Sequence, residues 1–256
     1  MSAGRTRYSQ AATIKEQRSL STAVKAEIEA NRMGRLQVER RRRILGANPV
    51  TDRCAGGRVL VDIGCGTGAL IRQVHDRYDT VVGIDFIPLK RPEFANALVL
   101  RADLRDGIPL ADGVAETLTA TELIEHIGDP TLLVREAFRI ARPGAEFVLT
   151  TPNIRYVRHL LRLIVQGRGP KTSGLGDDDL LWDGGHIHYF TSKDVVTLLE
   201  DAGFISVHSM ALIDPRGFLS PIRRLLSRWP GNPLVREFLT GRLLVVGKKP
   251  EEGNGP

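Results

Sequence analysis

Cysteine is nearly absent: of 256 residues only Cys54 and Cys65 are thiols. Two thiols cannot build a disulfide framework, and their spacing is not that of a zinc site. Aromatic residues make up 5% of the chain, few for the stacking platforms that hold single-stranded nucleic acid. No apolar run approaches the roughly eighteen residues that a membrane span needs. The opening MSAGRTRYSQ lacks the apolar stretch of a secretory signal, so a reducing cytoplasm is the expected compartment. No internal repeat is visible. What is present is a globular composition, 42% hydrophobic and 26% charged. It excludes a collagen, a coiled coil and a wholly disordered chain. The length predicts one domain, or one domain with a sizeable extra segment.

The net charge of +6 is unevenly spread. Residues 1–50 hold eleven basic and four acidic side chains, a balance of +7. Residues 51–215 hold seventeen basic and twenty-three acidic ones, and residues 216–249 hold eight basic against Glu237. The ends are basic and the middle is acidic. Basic ends suit nucleic acid, an anionic lipid surface or an acidic partner, or else are solvated helix faces.

Residues 11–46 contain no Pro, and apolar residues recur among Lys, Arg and Glu, which predicts a helix ended by Gly46, Asn48 and Pro49. Short apolar runs follow at Val59–Ile63, Val81–Ile84, Ala97–Leu100, Thr117–Thr121 and Phe147–Thr150. Helical stretches are expected at 68–77, 121–127, 131–142 and 153–166. Strands alternating with helices predict a parallel sheet covered on both faces. A helix over 191–202, with Thr191 and Asp194 as a capping box and Gly203 as its stop, precedes two late strands at Phe204–Leu212 and Leu243–Val246. Pro88 and Pro92 leave little room for a crossover helix between the second and third strands.

The first strand runs into Asp62-Ile-Gly-Cys-Gly-Thr-Gly68. Gly64, Gly66 and Gly68 permit a tight turn and a close ligand approach. Asp85 ends the next strand, seventeen residues beyond Gly68, where a carboxylate can accept both hydroxyls of a ribose. Nicotinamide enzymes use Gly-x-Gly-x-x-Gly. Here the glycines alternate, and Asp62 stands two residues before the first of them. An acid beside the turn suits a cationic ligand and repels a pyrophosphate. Cys65 reads as a small packing residue rather than a nucleophile.

VLVDIGCGTGAL resembles the first motif of the class I S-adenosylmethionine-dependent methyltransferases. The resemblance spans roughly residues 55–250 and implies a doubly wound, seven-stranded Rossmann-like α/β sheet with a helical N-terminal extension. It implies a cofactor site of Asp62, Gly64, Gly66 and Gly68, with Asp85 as the ribose acid. Arg101-Ala-Asp-Leu104 is similar to the family's adenine-side motif, which puts Asp103 and Leu104 beside the adenine.

The fourth strand leads into Thr121-Glu122-Leu-Ile-Glu125-His126. On a helical turn Glu122, Glu125 and His126 share one face, at the carboxyl ends of the strands where ligands of open α/β sheets bind. Two carboxylates and an imidazole suit a divalent cation; alternatively Glu125 and His126 shape the pocket wall. Glu-x-x-Glu-His resembles the ubiquinone-biosynthesis O-methyltransferases and the small-RNA 3′-terminal 2′-O-methyltransferases. In both, the motif is associated with Mg²⁺ that gathers neighbouring hydroxyls of the substrate. His186 and His188 point to one face of an extended segment, so either can complete a metal shell, act as catalytic base with His126 as the other candidate, or line a lid. The expected metal ligands are Glu122, Glu125, His126 and His188. The preceding stretch KTSGLGDDDLLWDGG has the length and composition of a lid or binding segment.

The domain reading is a basic helical segment over 1–50 and a methyltransferase domain over 51–250, with a lid-like insertion at about 167–190. The expected reaction is O-methylation of a small-molecule acceptor bearing adjacent hydroxyls, such as a catechol or a sugar, with Mg²⁺ assistance. An RNA 2′-O-methyltransferase and a non-catalytic protein that keeps the cofactor fold are the alternatives. The sequence does not specify an oligomeric state.

Overall fold

The structure, a computed structural model, describes residues 49–87, 94–172, 185–212, 228–229 and 231–252. The chain divides into two units, Met1–Arg40 and Arg41–Pro256, and every described residue belongs to the second. The expected N-terminal helix, the Pro88/Pro92 crossover and the middle half of the 167–190 insertion lie outside the described residues.

Seven strands form one sheet: β1 (Gly57–Ile63), β2 (Tyr78–Asp85), β3 (Ala97–Arg101), β4 (Ala115–Thr121), β5 (Ala141–Pro152), β6 (Ile205–Ala211) and β7 (Arg242–Lys248). Their spatial order is β3-β2-β1-β4-β5-β7-β6. The pairs among β1 to β5 are parallel, and β7 runs antiparallel to both β5 and β6. Successive side chains of a strand face opposite sides, and the buried runs divide accordingly. Leu60, Val81, Val148 and Leu244 enter one core, while Val61, Val82, Phe147 and Leu243 enter the other.

Five helices are described: α1 (Pro49–Arg53), the single turn α2 (Ile71–Val74), α3 (Pro130–Ile140), α4 (Val157–Gln166) and α5 (Ser192–Asp201). Helices α1 and α2 close the first core through Val50, Ile71 and Val74. Helices α3 and α5 close the second through Leu133, Val134, Ala137, Val195 and Leu199. Asp129 caps α3, accepting from the Leu132 amide, and Pro130 occupies a first-turn position where no amide is needed. The Thr191/Asp194 capping box is formed at the start of α5.

Two helical expectations are shortened. Residues 68–77 give only α2 and a 3₁₀ turn, His75–Arg77. Residues 121–127 give only a 3₁₀ turn, Ile124–His126. Glu122 has φ 50°, outside the helical region. Its amide donates to the Thr150 carbonyl at 3.0 Å and to Thr150 Oγ1 at 3.1 Å. Pairing with β5 thus continues past Thr121 and delays any helix until Asp129.

The chain leaves β1 toward β2 and β3, then returns to lay β4 on β1's other side. That reversal is the switch point at which open α/β sheets bind ligands.

Candidate functional site

The turn after β1 is lashed to β2. The amides of Gly64 and Cys65 both donate to the Ile84 carbonyl, at 2.7 and 3.0 Å. Gly64, Gly66 and Gly68 have φ of 72°, 53° and 69°, a region that penalises a side chain. The Gly66 amide donates to Asp85 Oδ2 at 2.8 Å, and Asp85 Oδ1 accepts from the Ile87 amide at 3.0 Å. Thr67 Oγ1 is buried with no hydrogen-bond partner among the described residues, a cost that a polar ligand over the turn would remove. The buried Asp62 accepts from Thr119 Oγ1 at 2.8 Å, which ties β1 to β4 beneath the turn. The turn therefore fits a polar, ribose-bearing ligand. After β3, Leu104 is buried at the start of a 3₁₀ turn capped by Asp103. The Asp103 carboxylate is held by the Arg105 guanidinium, and this ion pair draws its pKa down to about 2.

The turn after β4 packs on the glycine turn. A Cβ on Gly64 would lie 2.7 Å from Leu123 Cδ1, so the two loops form one wall. Two residues beyond Leu123, Glu125 is fully buried and accepts from Thr151 Oγ1 at 3.2 Å. The Glu125 carbonyl accepts from the amides of both Ile187 and His188. Phe190 bridges to Asn153 at the end of β5. These backbone links bring residues 185–190 across to the β4 turn. His186 Nε2 then lies 3.8 Å from Glu125 Oε1, both side chains being buried. His186 Nδ1 is 2.6 Å from Thr172 Oγ1. The His126 ring meets the His186 ring edge-on at 4.7 Å. His126 Nδ1 is 2.9 Å from the Gly185 carbonyl. A carbonyl can only accept, so Nδ1 carries the proton and the neutral ring keeps its lone pair on Nε2.

One ligand atom each from Glu125, His126 and His186 fall within 4.8 Å of one another. The helical convergence of Glu122 with Glu125 and His126 is not what forms, because Glu122 is not helical. Its Oε2 lies instead 3.4 Å from Arg242 Nε. His188 does not join the group either. Its backbone folds onto Glu125 rather than running straight, which breaks the shared face with His186, and its ring lies 5.9 Å from that of Phe190. The donor set is thus one carboxylate and two imidazoles. That set fits Mn²⁺, Co²⁺ or Zn²⁺ better than Mg²⁺, which prefers oxygen. Thr151, Thr172 and Gly185 were not legible as site residues, because no spacing signals a hydroxyl or a carbonyl that orients a distant imidazole.

Residues 32–209 match the family model described as methyltransferase domain, and the chain belongs to that family. Its sheet and motifs make it a class I S-adenosylmethionine-dependent methyltransferase. It is 35% identical over 105 residues to a Mycolicibacterium smegmatis protein named "Probable S-adenosylmethionine-dependent methyltransferase", covering 40% of each chain. It is 28% identical over 134 residues to the ubiquinone biosynthesis O-methyltransferase of Pseudomonas entomophila, covering 47% of this chain and 56% of that one. The chain spans about half the length of the curated relatives it matches. Among solved structures, a SAM dependent methyltransferase from Archaeoglobus fulgidus has the same fold, with a TM-score of 0.56 at 17% identity over 81% of this chain and 94% of that one.

Proposed function

We propose that the protein methylates a hydroxyl oxygen of a small molecule bearing neighbouring hydroxyls. The observation that carries this reading is the cluster of Glu125, His126 and His186 beside the glycine turn, within 4.8 Å of one another. The likeness to ubiquinone biosynthesis O-methyltransferases supports it. S-adenosylmethionine supplies an electrophilic methyl group on a sulfonium. The glycine turn and Asp62 favour its cationic end, Asp85 accepts from its ribose, and Asp103 and Leu104 lie on the adenine side. His126 Nε2 takes the acceptor's proton, with Nδ1–H held on the Gly185 carbonyl. Glu125, within 4.8 Å, stabilises the charge that His126 acquires, and Thr172 fixes the neutral His186 ring beside it.

The test is methyl incorporation into a panel of catechols, sugars and short RNAs. A catechol or sugar should be labelled, and His126→Ala should lower kcat about a hundredfold or more with cofactor affinity kept. Labelling of RNA alone, or unchanged turnover in the variant, would contradict the reading.

The same cluster supports a second reading, in which Glu125, His126 and His186 hold a divalent cation that lowers the acceptor's pKa. Activity lost on chelation and restored by Mn²⁺ or Zn²⁺ favours this reading; full turnover at negligible metal content leaves the histidine base.

A further inference from the structure

Helix α4 is built to bury one face and buries none of its residues. In VRHLLRLIVQ, the residues Val157, Leu160, Leu161, Ile164 and Val165 share a side at helical spacing. Leu161 and Leu163 are each 53% exposed, Ile164 77% and Val165 73%. Helix α3, of similar length, buries Leu133, Val134, Ala137 and Ile140. A helix as short as α4 is marginal in water by itself and takes its stability from packing an apolar face. Among the described residues nothing covers that face.

Charge narrows the cover to an acidic one, either the stretch at 177–183 of this chain or an anionic surface, and a face that the chain covers itself would bind no vesicle. From Ile154 to Thr172 the chain carries Arg155, Arg158, Arg162, Arg168 and Lys171 and no acid. A second copy would oppose like charges on like. An anionic lipid surface relieves that repulsion and takes the apolar face as well. At about 1.5 Å per residue, α4 is far shorter than the roughly 30 Å of a bilayer's core, so it lies in the interface. No described helix is long and apolar enough to cross a membrane.

A second stretch has the same character. Because β5 and β6 are both antiparallel to β7, the chain leaves β6 at the same end of the strands as it leaves β5 toward α4. The sequence that follows β6 includes FLSPIRRLLSRW, residues 218–229, basic and apolar like α4. Its last residue, Trp229, is 54% exposed, and Trp favours the membrane interface.

We infer that α4 docks on a bilayer surface carrying anionic headgroups, with Leu161, Ile164 and Val165 at the acyl boundary and Arg158 and Arg168 at the headgroups. The inference does not depend on the identity of the methyl acceptor.

Sedimentation of the full chain with vesicles tests it. Vesicles of phosphatidylcholine mixed with phosphatidylglycerol should bind the protein, and phosphatidylcholine alone should not. Salt should weaken binding, since the screening length falls from about 10 Å at 0.1 M to about 3 Å at 1 M. The double substitution Ile164→Asp, Val165→Asp should reduce partitioning about tenfold or more, with an unchanged melting curve because both side chains are exposed. Three results would overturn the inference: no binding by the unmodified chain, equal binding by the double variant, or a dimer seen by light scattering that the double substitution dissociates.

Discussion

Gly66 and Asp85 are joined directly, amide to carboxylate, at 2.8 Å. The bond makes the turn after β1 and the acid after β2 one rigid piece. An ionised carboxylate offers about four acceptor positions, and Gly66 and Ile87 use two of them. The others remain for a diol. The same bond orients the carboxylate before any ligand arrives, which lowers the cost of ordering on binding.

Gly64 should not tolerate alanine. Its φ of 72° and the 2.7 Å approach of a Cβ to Leu123 Cδ1 both oppose a side chain. Gly64→Ala should cost about 1–3 kcal/mol of stability and weaken cofactor binding as Leu123 shifts. Urea denaturation and calorimetry on the same variant check both effects.

Asn153 is expected to be a stability determinant through its side chain. Its side-chain amide donates to the carbonyls of Arg236, Glu237 and Thr240, at 2.9, 3.0 and 3.1 Å. These bonds hold a π-helical turn, Val235–Leu239, against the end of β5. Asn153→Ala should cost about 2–4 kcal/mol in chemical denaturation. A loss below half a unit would show that water replaces the amide at no cost.

Glu136 carries a pH-dependent part of the stability. Its carboxylate accepts from the Ile108 amide and from two nitrogens of Arg139, each at 2.8 Å. Arg139 holds its pKa below the ordinary 4.5. A carboxylate with a depressed folded-state pKa stabilises above its unfolded pKa and loses that contribution as pH falls through the folded one. Glu136→Gln should therefore cost about 1–3 kcal/mol at neutral pH, and the gap should narrow in acid below the ordinary carboxylate pKa. Urea unfolding of both proteins across that pH range gives the sign.

Both thiols should be silent in the folded protein. Cys54 and Cys65 are buried, and desolvation pushes the Cys54 thiol up to about 12, so the reactive thiolate is scarce near neutrality. A thiol reagent should find no fast-reacting group until denaturant is added, and then two.

The strands and the glycine turn were legible because each carries a local signature. β1 and β2 are apolar runs bounded by Asp or Gly, and Gly64, Gly66 and Gly68 stand where the chain must turn left-handed. The Thr191/Asp194 box was legible for the same reason. The acid–histidine site was only half legible. Glu125 and His126 are adjacent, and their convergence follows from the backbone. Glu122 was lost to the cluster because Thr150, from a neighbouring strand, captures its amide. The choice of His186 over His188 depends on the Glu125 carbonyl accepting two amides from a segment sixty or so residues away, and period-2 alternation cannot foresee that fold-back.

In the proposed function the glycine turn and Asp85 hold S-adenosylmethionine. Calorimetric titration of the ligand into the unmodified chain and into Asp85→Ala tests it most directly. Saturable binding is expected of the former. Affinity at least about tenfold weaker is expected of the variant, since one hydrogen bond to a charged acceptor contributes roughly 1.5–3 kcal/mol, with the folded state intact by circular dichroism. No binding by the unmodified chain, or equal affinity in the two proteins, would contradict it.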